Sequence, residues 1–140
     1  MRTKLFVVAM GLTSLVLTTM PARAHHSFAA EFDVNKPITL VGTITRMDWV
    51  NPHAWLYIEV KQPDGAVQAW SLEFGAATVL LRRGWRKDLL PVGSQVTVTG
   101  FQAKNGSLRA NAKDVTLADG KKLFAGTAAA ALGEGGERGF

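Results

Sequence analysis

The sequence predicts an all-β domain, a small five- to six-stranded OB-type Greek-key barrel with one short helix between strands three and four. Short runs of alternating apolar and polar residues predict the strands. Turn signals such as Asn105-Gly106 separate these runs. Residues 75–83, between the third and fourth runs, have helical spacing instead and are followed by Gly84. An open meander of the same strands is the competing architecture.

The predicted strands follow one another along residues 38–125, which we interpret as one domain. The first, residues 38–50, is rich in β-branched residues, and Gly42 within it indicates a bulge or a close backbone approach. A final edge strand is predicted at residues 121–124. The four strands between them are predicted at residues 53–62, 66–74, 94–104 and 107–117.

Residues 1–24 have the composition of a secretory signal peptide. Two basic residues precede an uncharged run, and Ala22-Arg23-Ala24 is a small-x-small cleavage site. A membrane anchor is the alternative, but the run is marginal for the roughly 20 apolar residues that a span needs. We therefore expect a periplasmic or secreted protein that begins at His25 after cleavage, has no membrane span and carries an N-terminal arm over residues 25–37.

Cleavage would change the charge of the protein. It would remove three of the 16 basic residues and none of the 11 acidic ones, so the net charge would fall from +5 to +2. Such a weak charge gives little support to a nucleic-acid partner, and none is expected. The chain has no cysteine, so its stability rests on its core and it offers no thiolate ligand. Residues 126–140, mostly Ala and Gly, are predicted to form a disordered tail.

Cleavage after Ala24 would also create a candidate copper site. His25 would then carry a free α-amine beside its imidazole, and the amine and Nδ1 can close a chelate ring. One further imidazole completes a T-shaped set of three nitrogens, which resembles the histidine brace of exported copper proteins and suits Cu(II). His53, at the start of the second strand, is the candidate third ligand, and His26 is the alternative. Zinc is also compatible with such a set; without metal, these residues are an arm and a strand end.

Two further groups of side chains are candidate binding sites. A groove for a peptide or a small apolar ligand, or alternatively part of the core, is suggested by Trp49, Trp55, Tyr57 and Trp70. A patch for an anion or a partner, or alternatively a solvated helix end, is suggested by Arg82, Arg83, Arg86 and Lys87. Single carboxylates on strands, such as Glu73, are expected to be solvated. No nucleophile with a neighbouring base can be identified, so no catalytic residue is predicted.

Several short motifs together resemble a family of small exported bacterial proteins that is known as a domain of unknown function. They are HHSF (25–28), NPHAW (51–55), LLRRGW (80–85), GSQVTVTG (93–100) and DGKKLFAG (119–126). The resemblance covers nearly the whole mature domain. It implies export and a shared β fold, and it brings no established activity.

Three hypotheses for the function follow from these observations. The first is a non-enzymatic binding protein that holds Cu(II) through its N-terminal histidine. The second is a metal-free OB-type module that binds a protein, a peptide or a small ligand. The third is a copper-dependent oxidative enzyme, for which the sequence shows neither a substrate surface nor an open coordination position.

Overall fold

The computed structural model describes residues 28–127, which form six strands and three short helical segments. The strands are β1 (Phe32–Asp48), β2 (Trp55–Lys61), β3 (Val67–Glu73), β4 (Gln95–Ala103), β5 (Arg109–Thr116) and β6 (Lys122–Phe124). The helical segments are α1 (Phe28–Glu31), α2 (Ala77–Arg82) and a 3₁₀ turn, Lys87–Leu89. None of the helices within these residues is long and apolar enough to cross a membrane.

The six strands form one sheet, and five of them close into a barrel-like ring. The sheet order is β3-β2-β1-β4-β5-β6, and an additional pairing joins β3 to β5. This pairing is short, because it matches only Ser71–Glu73 with Arg109–Asn111. It is parallel, whereas the other strand pairs are antiparallel. The helix α2 lies between β3 and β4 in the chain. The predicted fold class is therefore confirmed.

The long strand β1 belongs to both halves of the ring. Its first half pairs with β4 and its second half with β2, and Thr43 has a partner on each side. Gly42 lies where the partner changes. A Cβ at this position would be 2.8 Å from the carbonyl oxygen of Glu59 and 3.0 Å from Cδ1 of Ile58. The predicted close backbone approach is thus present, and a larger residue would push β1 away from β2.

The main core fills the inside of the ring. In β2, alternate residues Leu56, Ile58 and Val60 are buried, as the period of two predicts. Leu80 of α2 and Trp85, which follows it, are buried among the same residues. Gly84 ends α2 with a φ of +89°, in the left-handed region that glycine adopts without a steric penalty.

The chain before β1 differs from the predicted arm. Within residues 25–37, α1 occupies residues 28–31, and β1 already begins at Phe32, which pairs with Ala103 of β4. The register shifts between Phe32 and Pro37, and a proline is tolerated where strand pairing is irregular. Residues 25–27, and with them His25 and His26, lie outside the described residues, as does the predicted signal peptide.

The chain after β6 remains attached to the ring through Gly126. The N–H of Gly126 donates to the carbonyl oxygen of Lys113 at 3.1 Å, and the N–H of Gly75 donates to that of Ala125 at 2.8 Å. Gly126 is buried. The packed structure thus continues one residue past the predicted end of the domain, and the predicted tail beyond Thr127 lies outside the described residues.

Candidate functional site

His53 lies just before β2 and is held against the end of β3. Backbone hydrogen bonds fix its neighbour, since the N–H of Ala54 donates to the carbonyl oxygen of Gly75 at 3.1 Å and the N–H of Phe74 donates to that of Ala54 at 2.8 Å. Nδ1 of His53 is 3.3 Å from the carbonyl oxygen of Phe74 and 3.5 Å from Oε1 of Glu73. Because two acceptors face Nδ1, we assign the imidazole proton to it. Nε2 then keeps its lone pair, on a side chain that is 37% exposed.

Glu73 connects His53 to an arginine on the neighbouring strand. Nη2 of Arg109 is 2.8 Å from Oε2 of Glu73 and 3.0 Å from Oε2 of Glu31. These contacts link four side chains in a continuous series, which we call the ion chain: Glu31, Arg109, Glu73 and His53. The parallel pairing of β3 with β5 brings Glu73 and Arg109 together. It places Ser71 opposite Arg109 and Glu73 opposite Asn111 on adjacent strands.

Aromatic rings surround the guanidinium of Arg109. Its central carbon is 4.9 Å from the ring centre of Trp55 and 5.5 Å from that of Phe32. Both contacts have the geometry of cation–π interactions and limit the access of water. Glu73 is only 7% exposed, so the expectation that it is solvated is wrong. Nε of Arg109 and Oδ1 of Asn111 are buried without a hydrogen-bond partner among the described residues.

The first described residues cover this side of the ring. We call residues 28–32 the N-terminal strap. The ring of Phe28 packs on Phe32 and Phe101, with ring centres 5.6 and 5.7 Å apart. Lys104 binds the strap twice: its backbone N–H donates to the carbonyl oxygen of Glu31 at 2.9 Å, and its Nζ donates to that of Ala29 at 2.5 Å. The strap thus joins the ion chain through Glu31.

Two of the four candidate groove residues share the outer face of β2. Trp55 contacts the guanidinium of Arg109, and Tyr57 lies under that of Arg46, 3.9 Å from its ring centre. Both aromatic side chains are half-buried. This face therefore presents two aromatic rings, each covered by an arginine side chain. They follow His53 by two and four residues in the chain.

The other two groove candidates contact the main core. Trp70 is 6% exposed, and its Nε1 donates to Oε1 of Gln68 at 3.2 Å. Trp49 is partly buried against the main core and packs edge-on against Trp85 at 6.4 Å. The four aromatic residues are therefore divided, because Trp70 is buried in the core and Trp49 packs against it, while Trp55 and Tyr57 lie on the outer face of β2.

The candidate basic patch is exposed and partly engaged in local contacts. It comprises Arg82, Arg83, Arg86 and Lys87, all exposed. Asp88 forms a two-pronged ion pair with Arg86 at 2.6 and 3.0 Å. This hydrogen bonding lowers the pKa of Asp88 and raises that of Arg86. Nη1 of Arg83 donates to the carbonyl oxygen of Gly126 at 3.4 Å, so part of the patch anchors the segment that follows β6.

Only one of the three predicted metal ligands lies within the described residues. His53 is placed as described above, whereas His25 and His26 lie outside residues 28–127. Within those residues, no group of three or more His, Asp or Glu side chains is arranged to hold a metal ion.

Arg109, Glu31 and Asn111 were not predicted to belong to a site. Arg109 and Glu31 are 78 positions apart in the chain, and Arg109 and Glu73 are 36 apart. No local motif links residues so distant. The one available signal was the alternation in β5, which places Arg109 and Asn111 on the face opposite Ala110 and Ala112.

The fold and the ion chain define a small OB-type β domain with an oriented, accessible histidine at the start of β2. The chain belongs to a family of unknown function, DUF6152, whose model matches residues 12–112. This range includes all three histidines and the complete ion chain. Comparison with the curated proteins and with the solved structures gave no match.

Proposed function

We propose that the protein is an exported binding protein that holds Cu(II) between an N-terminal His25 and His53. The observation that carries the proposal is the ion chain. It ties Glu31, near the N-terminal end of the domain, to the residue that faces His53. The described chain that follows His25 is therefore connected to the proposed third ligand through Arg109 and Glu73.

The state of His53 supports this role. In metal sites, a histidine ligand usually donates its second ring N–H to a carboxylate or a backbone carbonyl, which fixes the ring and its tautomer. Both kinds of acceptor face Nδ1 of His53, Glu73 at 3.5 Å and Phe74 at 3.3 Å. Nε2 is then the donor atom offered to a metal.

The proposal sets a requirement on the segment that precedes α1. His25 precedes Phe28, the first residue of α1, by three residues, and three extended residues span up to about 10 Å. The proposal therefore requires that the amine and Nδ1 of His25 reach the imidazole of His53 within that length.

The available donors favour Cu(II). An amine and two imidazoles form a set of three nitrogens that fits the tetragonal preference of Cu(II), which also stands highest in the divalent affinity order. The chain offers no cysteine for a soft Cu(I) site. His26 is the substitute ligand if His53 does not take part, and zinc is the metal that competes for the same donors.

The test begins with the chain recovered from the periplasm of a bacterial host. Its intact mass gives the N-terminus, and Cu(II) titration then compares it with His53→Ala and with the same chain acetylated at its α-amine. Lys61→Ala, an exposed change at the other end of β2, is the matched control.

We expect an N-terminus at His25 and one-to-one binding. The dissociation constant should rise at least tenfold in His53→Ala and in the acetylated chain, and stay unchanged in Lys61→Ala. Cleavage at another position, or equal affinity with and without His53, would contradict the proposal.

A metal-free interaction module is the second candidate. The outer face of β2 favours it, because Trp55 and Tyr57 are half-buried there beneath Arg109 and Arg46. Such a surface suits a peptide or a small ligand. Cu(II) binding that is independent of His53 would favour this candidate.

A further inference from the structure

We propose that the surface around α2 docks the protein on an anionic lipid membrane. This surface, which we call the α2 face, consists of exposed aliphatic and basic side chains: Val50, Val79, Leu81, Arg82, Arg83 and Lys87. None of these residues belongs to the ion chain, so membrane docking is independent of the proposed copper site.

The helix α2 turns one side to the interior and the other to solvent. Ala77 and Leu80, three positions apart, are buried. At about 3.6 residues per turn, Arg82 is nearly opposite Leu80 and lies between Val79 and Leu81 on the outer side. Val79 and Leu81 are 37% and 46% exposed. The outer side of α2 therefore presents a cation flanked by two aliphatic side chains.

The loop before β2 extends the aliphatic part of the α2 face. The N–H of Ala77 donates to the carbonyl oxygen of Val50 at 3.3 Å. Oδ1 of Asn51 accepts from both the N–H and the hydroxyl of Thr78 at 3.4 Å. Val50, which is 48% exposed, is thus held beside the start of α2. Three aliphatic side chains are too few to hold a protein on a membrane alone, so docking also requires charge.

Three cations of the α2 face supply that charge. Asp88 is the only acidic residue in the sequence from 75 to 113, and it pairs with Arg86. Among the described residues, no carboxylate forms an ion pair with Arg82, Arg83 or Lys87. Anionic headgroups attract cations close to a membrane surface, and this attraction adds to the burial of aliphatic side chains.

The α2 face is fixed to the ring before any partner binds. Leu80 and Trp85 are buried in the main core. Nε1 of Trp85 also donates to the carbonyl oxygen of Phe124 at 3.0 Å. A surface that is already ordered loses little conformational freedom on docking. A helix as short as α2 can therefore serve as a docking element.

A lipid membrane fits the α2 face better than a soluble anion does. A soluble anion would contact the cations but would leave Val50, Val79 and Leu81 in water. At a membrane, aliphatic side chains enter the boundary between headgroups and acyl chains, while the cations stay among the headgroups. A membrane thus engages both kinds of side chain.

The test uses the chain recovered from the periplasm and measures co-sedimentation with vesicles. The vesicles contain phosphatidylcholine alone or an equal mixture with phosphatidylglycerol. The charge probe is Arg82→Gln combined with Lys87→Gln. Its matched control is Lys36→Gln combined with Lys61→Gln, which removes the same charge from exposed positions on β1 and β2. Arg83 is kept because it also contacts the segment that follows β6. Urea unfolding verifies that each variant is folded.

A second probe identifies the side of the protein that meets the membrane. Because the chain has no cysteine, Leu81→Cys and Val67→Cys each accept a single polarity-sensitive fluorophore. Val67 is the matched position, since it is 59% exposed but lies on β3. On the mixed vesicles, the emission should shift to shorter wavelength for the label at position 81 and stay unchanged for the label at position 67.

We expect binding to the mixed vesicles and none to phosphatidylcholine alone, with an affinity that falls as salt is added. The double variant Arg82→Gln, Lys87→Gln should bind about twentyfold more weakly, since each lost cation costs about fivefold. Its control should bind like the unmodified chain. Asp88→Asn, which releases Arg86 from its partner, should bind about fivefold more tightly.

Three outcomes would overturn the membrane proposal. The first is equal binding to the two kinds of vesicle, or equal losses in the double variant and its control. The second is binding that inorganic phosphate abolishes and chloride of the same ionic strength does not, which would identify a site for a soluble anion. The third is a spectral shift at position 67 without one at position 81.

Discussion

Arg109 stabilises the outer side of the ring because one guanidinium joins parts of the chain that are distant in sequence. It binds Glu31 from the strap and Glu73 from β3, and it lies between the rings of Trp55 and Phe32. Glu73 is nearly buried, so it depends on this partner. A buried carboxylate that loses its cation is costly to the folded state.

Replacement of Arg109 by methionine should therefore destabilise the domain by about 2 kcal/mol, a value below that of a fully buried pair because the arginine is 39% exposed. Arg46→Met is the matched control, since Arg46 also covers an aromatic ring and pairs with a carboxylate, Asp48, but is 59% exposed. It should cost less than about 1 kcal/mol. Urea unfolding of both variants measures the difference, and equal losses would contradict this role for Arg109.

The sequence allowed prediction of some residues of the site and not of others. His53 was identifiable because it is one of only three histidines in the chain and because it follows Pro52. Arg109 and Glu73 were not, because single charges on alternating strands are usually solvated. Their burial depends on the strap and on the pairing of β3 with β5, which are tertiary features that local periodicity does not encode.

The segment from α2 to Trp85 fixes the last strand, β6, as well as the core. Trp85 is 2% exposed and packs against Phe74 at 5.7 Å. Its Nε1 donates to the carbonyl oxygen of Phe124, in β6, at 3.0 Å. One side chain thus joins the helix, the core and the last strand.

Replacement of Trp85 by phenylalanine should remove that hydrogen bond and cost about 1–2 kcal/mol. Exchange of the Ala125 amide, which donates to Lys113, should then become faster because β6 loses an anchor. Trp70→Phe is the control, since Trp70 is similarly buried but donates to Gln68. It should destabilise the core without a selective effect at Ala125. A similar effect of both changes at Ala125 would contradict this role for Trp85.

Most strands and the helix α2 were predictable, because each of them has a local signal, whereas α1 and the 3₁₀ turn were not predicted. Alternation located β2 to β5, and Asn105-Gly106 located the hairpin that joins β4 to β5. The start of β1 was less predictable, since Pro37 is typical of a strand boundary. In the folded chain it lies after a register shift, and β1 extends back to Phe32.

At the scale of the whole molecule, closure of the ring makes the candidate site. The order of strands and helix predicts an OB-type ring, but it does not say which residues meet where the ring closes. The contact between β3 and β5 is only three residues long on each strand, and it brings Glu73 next to the strand that carries Arg109. The strap then covers the same seam, so fold and site arise from one junction.

The central claim is that His53 and the N-terminal histidine bind the same Cu(II) ion. The most direct measurement is electron spin-echo envelope modulation of the Cu(II)-loaded chain beginning at His25, carrying His26→Ala, with and without His53→Ala. The modulation counts the imidazoles that coordinate copper. We predict two coordinated imidazoles when His53 is present and one in its absence. An identical count in the two samples would contradict the account.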